Sequence, residues 1–106
     1  MNPEETIVSE VKLVLELMRK KNHDYTGVNS YFHNFEQGNR IGIGRLKSLY
    51  LRMMDKNARI ETFLTTGELV VPGENILDAF RDIVGYSLLA LAMIHDESQV
   101  KGLDTE

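Results

Sequence analysis

Hydrophobic residues along this chain fall into three runs with helical spacing, separated by two stretches without it. In the first run Ile7, Val8, Val11, Val14, Leu15 and Met18 recur three and four positions apart, which places them on one side of a helix. A start signal precedes them: Asn2 can cap, Pro3 takes the first helical position, and Glu5 follows three residues after the cap. Arg19, Lys20 and Lys21 close the run at the end where the helix dipole favours cations. The pattern predicts a first helix over 4–21. A second, over 45–64, carries Leu46, Leu49, Tyr50, Met53, Ile60 and Leu64 on its core face, with Gly67 as its C-cap. Pro72 then bars helix until Gly73.

The third run, 74–95, is the one around which the chain is organised. Ile76, Leu77, Phe80, Ile83, Val84, Leu91 and Ile94 form an amphipathic stripe along one side of it. From Ile83 to Ile94 nearly every position is apolar or small, so this half should be enclosed all round. Three helices cannot enclose such a helix, so a homodimer that completes a four-helix or larger core is expected. The fold expectation is therefore an all-α bundle of three main helices, one domain over 1–106, with an acidic, polar, frayed tail at 96–106.

Between the first two helices, 22–44 has no sustained period, is rich in Gly and Asn, and gathers His23, Tyr25, Tyr31, Phe32, His33 and Phe35. An irregular segment of that length is uncommon in a small domain unless it is functional. Either it closes over the bundle as a lid, or it forms a short extra helix near 31–37. Its rings can stack on a base or pin the segment to the core, and pinning is the reading favoured for Phe32 and Phe35.

Composition narrows the possibilities. The chain has 106 residues, enough for one modest core, with 42% hydrophobic and 26% charged residues. It has no cysteine, which removes disulfides and thiolate zinc sites and makes a reducing, cytoplasmic setting the default expectation. The formal net charge of −4 argues against broad nucleic-acid binding. No apolar run is long enough to span a membrane, and the polar, acidic opening Asn2 to Glu5 does not resemble a secretory signal.

Against this background, Glu74, Asp78 and Asp82 stand four residues apart. On a helix they would stack along one side, drifting by roughly 80° over about 12 Å. Like charges so placed repel unless a cation joins them, which makes a metal site one reading. The other is an acidic first turn that complements the helix dipole on a solvated face, with Arg81 as local partner. Asn57 and Glu61 project from the apolar face of the second helix, where a carboxylate needs a partner, so Glu61 is a candidate ligand from across the bundle. Arg45, Arg52, Lys56 and Arg59 form a basic stripe along one edge of that helix, with Asp55 placed to pair with Arg59. Carboxylates for magnesium, cations for phosphate and rings for a base are the equipment of a nucleoside triphosphate site. Walker-type glycine loops and HExxH are absent from the sequence.

Several stretches resemble a phage and bacterial family, nucleotide modification associated domain 1. Lys20-Lys-Asn-His-Asp-Tyr-Thr-Gly27 is similar to its K-x-x-DYG signature, with Thr26 standing inside the DYG turn, and Asn34-Phe35 resembles the NF that follows. Arg52-Met-Met-Asp-Lys56 with Arg59 resembles R-x-x-DK-x-x-R. Glu74 to Asp78, followed by Asp82 and Tyr86, resembles E-x-x-x-D-x-x-x-D-x-x-x-Y. The likeness runs from about Lys20 to Ala92 and extends to the all-α, MazG-like nucleoside triphosphate pyrophosphatases. It implies a magnesium-bound helical bundle, a homodimer or higher oligomer, acting on free nucleotides. Glu61, Glu74, Asp78 and Asp82 would then hold Mg2+, with Glu61 and Asp82 catalytic. Lys56 and Arg59, with Lys20, Lys21 and Arg52, would contact phosphate, while Asp24, Tyr25, Asn34 and Tyr86 would order the loop or touch sugar and base. Two other classes remain open: a nucleotide-binding protein without chemistry, such as one that sequesters a signal, and a structural module that docks a partner by its acidic face.

Overall fold

The computed structural model describes residues 1–26, 31–68 and 75–101, with side chains for 1–22, 31–68 and 75–97. The fold is all-α. Three long helices, α1 (Pro3–Thr26), α2 (Arg45–Thr66) and α3 (Ile76–Lys101), are joined after α1 by two 3-10 turns, His33–Phe35 and Gln37–Ile41. Helix α3 is the one against which both α1 and α2 pack.

The local signals act as expected at the helix ends. The Asn2 side chain accepts from the Glu5 N–H at 2.8 Å while the Glu5 carboxylate accepts from the Asn2 N–H at 3.0 Å, a reciprocal capping box. Gly67 ends α2 in the left-handed region at φ 80°, its N–H donating to the Phe63 carbonyl at 2.7 Å. Helix α3 begins two residues later than expected. The Asn75 side chain caps it by accepting from the Asp78 N–H at 2.9 Å, and Glu74 lies outside the described residues. Helix α1 runs on through Thr26, so 22–26 is helical where an irregular segment was expected.

The core is built on the α2–α3 interface. Leu49 and Met93 are completely enclosed, Phe35 completes the cluster, and Leu46, Met53, Tyr86 and Leu89 pack around it. Phe35 meets Tyr86 edge-on with ring centroids 6.2 Å apart, the arrangement the ring quadrupoles favour. The described part of the connecting segment is therefore folded onto the core by its rings, as the pinning reading expected. Arginines of the basic stripe reinforce it. The Arg45 guanidinium lies 4.5 Å over the Phe32 ring and that of Arg52 lies 4.6 Å over Phe35. Arg45 also bonds Asp96 at 2.6 Å and Glu36 at 3.2 Å, which raises its pKa further, Asp96 contributing most.

Helix α1 crosses α3 at Gly85, which is buried beneath Val14 and Met18. Beside the crossing, Arg81 grips Glu10 of α1 with two parallel bonds of 2.7 and 2.8 Å, the bidentate geometry that makes arginine–carboxylate pairs strong. Arg81 was expected only as a local partner of the acidic turn. It does approach Asp78, at 3.5 Å, but its main partner is on another helix.

One expectation is corrected. Helix α3 is not enclosed: Leu77, Phe80, Val84, Leu88 and Leu91 are exposed along one face. On α1, Ile7, Val8, Val11 and Leu15 are exposed too, leaving Val14 as the buried member of its predicted stripe. The radius of gyration, 15.6 Å, exceeds the roughly 13 Å of a compact domain of this length, as an open arrangement of helices requires.

The Glu10–Arg81 pair yields a pH prediction. Its hydrogen bond to Arg81 lowers the Glu10 pKa below the ordinary 4.5, so the pair's stabilisation is fully present above that value. It is lost as pH falls through the lower folded-state value. Glu10→Gln should melt below wild type at pH 7, and the gap should close as the pH is taken well below 4.5. A gap that persists unchanged in acid would show that the pair does not tie α1 to α3.

Candidate functional site

Helix α2 turns Leu49, Met53, Lys56, Ile60 and Phe63 inward, a stripe with spacings of four, three, four and three. Lys56 is the one charged member of that stripe, and it reaches α3: its Nζ lies 3.0 Å from Asp82 Oδ2. From the other side Lys21, near the end of α1, brings its Nζ to 3.1 Å from Asp82 Oδ1. One carboxylate thus receives two ammonium groups, one on each oxygen, from two helices. The Asp82 and Lys56 side chains are only 22% and 20% exposed, so solvent screens them less than an open surface pair.

Next to this junction is a cleft of about 170 Å3. Helix α1 contributes Val14, Met18, Lys21 and Asn22 to its wall, the connecting segment Tyr31, Asn34 and Phe35, α2 Arg52, and α3 Arg81, Asp82, Gly85 and Tyr86. Gly85 and the apolar side chains give it a floor. Arg52 is held at its rim by the Phe35 ring and by a 3.2 Å bond to the Asn34 carbonyl. At roughly 30 Å3 per water the cleft has room for one ring or one phosphate group, not a whole nucleotide.

Several residues singled out by sequence meet here. Lys21, Asn34, Arg52, Asp82 and Tyr86 line the cleft, and Lys56 joins through Asp82. Others do not. Lys20 is exposed and outside the lining, and Arg59 pairs with Asp55 at 3.3 Å, the i+4 pair expected. Asp78 is exposed in the first turn of α3. Glu61 and Asn57 correct an expectation: both are exposed, because each follows an inward residue, Ile60 and Lys56, by one position and so points about 100° away. Glu74 and the side chains of His23, Asp24 and Tyr25 lie outside the described residues.

Sequence reasoning missed the two lysines on Asp82 and the Glu10–Arg81 pair. A signal was present: from Ile76 to Ile94 only Asp78, Arg81 and Asp82 are charged, and charges on so apolar a helix require partners from its neighbours.

Among the described residues no group of three or more His, Asp or Glu side chains is placed to hold a metal ion. Asp78 and Asp82 stand one turn apart, and as placed Asp78 meets Arg81 while both oxygens of Asp82 meet lysine ammonium groups. Magnesium takes one or two carboxylates and completes its shell with water and substrate phosphates, so these two would serve it once their cations had moved away. Among the described residues no helix is long and apolar enough to cross a membrane. The fold and the cleft define a small all-α protein with an ion-paired, ring-lined site at the junction of its helices. The chain matches no protein-family model, and no curated protein or solved structure is significantly similar to it.

Proposed function

We propose that the cleft takes the base of a (deoxy)nucleoside triphosphate, its phosphates lying at the Lys21–Asp82–Lys56 junction beside it, and that the chain hydrolyses it to the monophosphate and pyrophosphate. The supporting observation is convergence. Asn34, Arg52, Lys56, Asp82 and Tyr86 come from three separate stretches that resemble nucleotide modification associated domain 1, and they meet at one place. Cations for phosphate lie beside rings that can face a base, with an amide at hand for base or sugar.

In this reading Lys21 and Lys56 take phosphate oxygens, Arg52 neutralises charge at the rim, and Tyr31 and Tyr86 contact the ring of the base. Asp78 and Asp82 would hold magnesium, which when bound supplies charge neutralisation and a more acidic water. Glu74 belongs to that set by resemblance alone. A second reading is favoured by one observation: Asp82 already carries two ammonium groups, as it would in a binder that needs no metal. Calorimetry of a nucleotide panel with magnesium and with EDTA separates the two.

The exposed faces of α1 and α3 belong to the same proposal. On α3, Leu77, Phe80, Val84, Leu88 and Leu91 are spaced three, four, four and three apart, the seam of a helix packed on a partner helix. A second copy of the chain covers this seam and completes the bundle.

Two outcomes test these statements. Asp82→Asn should abolish magnesium-dependent release of pyrophosphate while leaving the helical circular dichroism spectrum unchanged; undiminished turnover contradicts the assignment. Light scattering at micromolar concentration should report a dimer for wild type and a monomer for Leu88→Glu, and a monomeric wild type would remove the second copy from the account.

A further inference from the structure

We infer that Lys21 and Lys56 form a polyphosphate-binding pair that Asp82 occupies as a built-in counter-ion when no ligand is present. The inference rests on the reading of these lysines as phosphate contacts and adds a mode of control to it. Its basis is geometric. The two Nζ atoms sit at 3.1 and 3.0 Å from different oxygens of one carboxylate, so that carboxylate stands where two adjacent oxygens of a phosphate chain would stand. The lysines come from α1 and α2 and the carboxylate from α3, so no short-range sequence constraint forces the meeting. Local charge points the same way: Lys21, Lys56 and the nearby Arg52 outnumber Asp82, leaving the junction cationic within a chain of net charge −4.

Asp82 on this account does two things. It holds the ammonium groups in position when the cleft is empty, sparing the ordering cost that two long side chains would otherwise meet on binding. It also competes with any anion that arrives, so weakly charged anions such as monophosphate are excluded and the higher charge of a di- or triphosphate is needed to draw the lysines away. Once drawn, they leave both Asp82 oxygens open to another cation. Anion and cation binding at this junction are therefore coupled, each favouring the other.

Inorganic pyrophosphate in EDTA, followed by calorimetry, tests this without any metal or turnover. Removing one negative charge from contact with the pair, in Asp82→Asn, should tighten pyrophosphate binding by at least about fivefold. Asp96→Asn removes the same charge about 21 Å along α3, beyond a screening length of about 10 Å, and should change affinity by less than about twofold. Lys56→Met in the Asp82→Asn background should return affinity to wild type or below. Affinity unchanged or weakened in Asp82→Asn overturns the inference. Should that variant not hold its fold, Lys21→Met and Lys56→Met in the wild type should each weaken pyrophosphate binding about fivefold, and loss in neither overturns it. Failure here is distinguishable from failure of the hydrolase reading, which is judged by turnover with magnesium.

Discussion

The carboxylate of Asp82 is the point at which the three helices meet. It is carried by α3, takes Lys21 from α1 on one oxygen and Lys56 from α2 on the other, and lies at the wall of a cleft to which all three helices contribute. Its neighbour Arg81, about 100° round the helix, reaches Glu10 farther back on α1. Two adjacent residues of α3 thus fix α1 at two places, on either side of the crossing at Gly85. These ion pairs add to the packing of Val14 and Met18 on Gly85.

The α2–α3 half of the molecule is held differently. There the core is apolar, with Phe35, Leu49 and Met93 at its centre, and the arginines of α2 act by lying over rings and bonding the connecting segment. That division bears on the proposed function. The rings and Arg52 pack on the apolar core, whereas the Lys21–Asp82–Lys56 junction is polar and partly solvated. A packed wall beside a set of charges suits the charged ligand proposed for it.

Much of the fold was legible in the sequence because helix signals are local. The capping box at Asn2, the stop at Gly67 and the inward positions Leu49, Met53 and Ile60 follow from residue type and spacing, whereas Tyr50 and Leu64, assigned to the same face, are exposed. The N-terminus of α3 was misplaced because Glu74 extends the acidic spacing, while the cap is Asn75. The site was legible in part. Asn34, Arg52, Lys56, Asp82 and Tyr86 were identified and do converge, but Glu61 was assigned inward when its neighbour Ile60 holds that position. Partners across helices, Lys21 and Lys56 with Asp82 or Arg81 with Glu10, depend on how helices cross, which spacing within one helix does not encode. The apolar circumference of α3 was taken to mean enclosure, yet Leu77, Phe80, Val84, Leu88 and Leu91 face solvent.

The central claim is that the two ammonium groups on Asp82 are the groups that receive the ligand. Heteronuclear NMR of the lysine side chains, with pyrophosphate added in the absence of metal, addresses it most directly. The account predicts that the Lys21 and Lys56 Nζ resonances and the Asp82 carboxylate carbon move together along one binding curve, as the lysines leave the carboxylate for the phosphate. Pyrophosphate that binds while all three signals stay in place would contradict it.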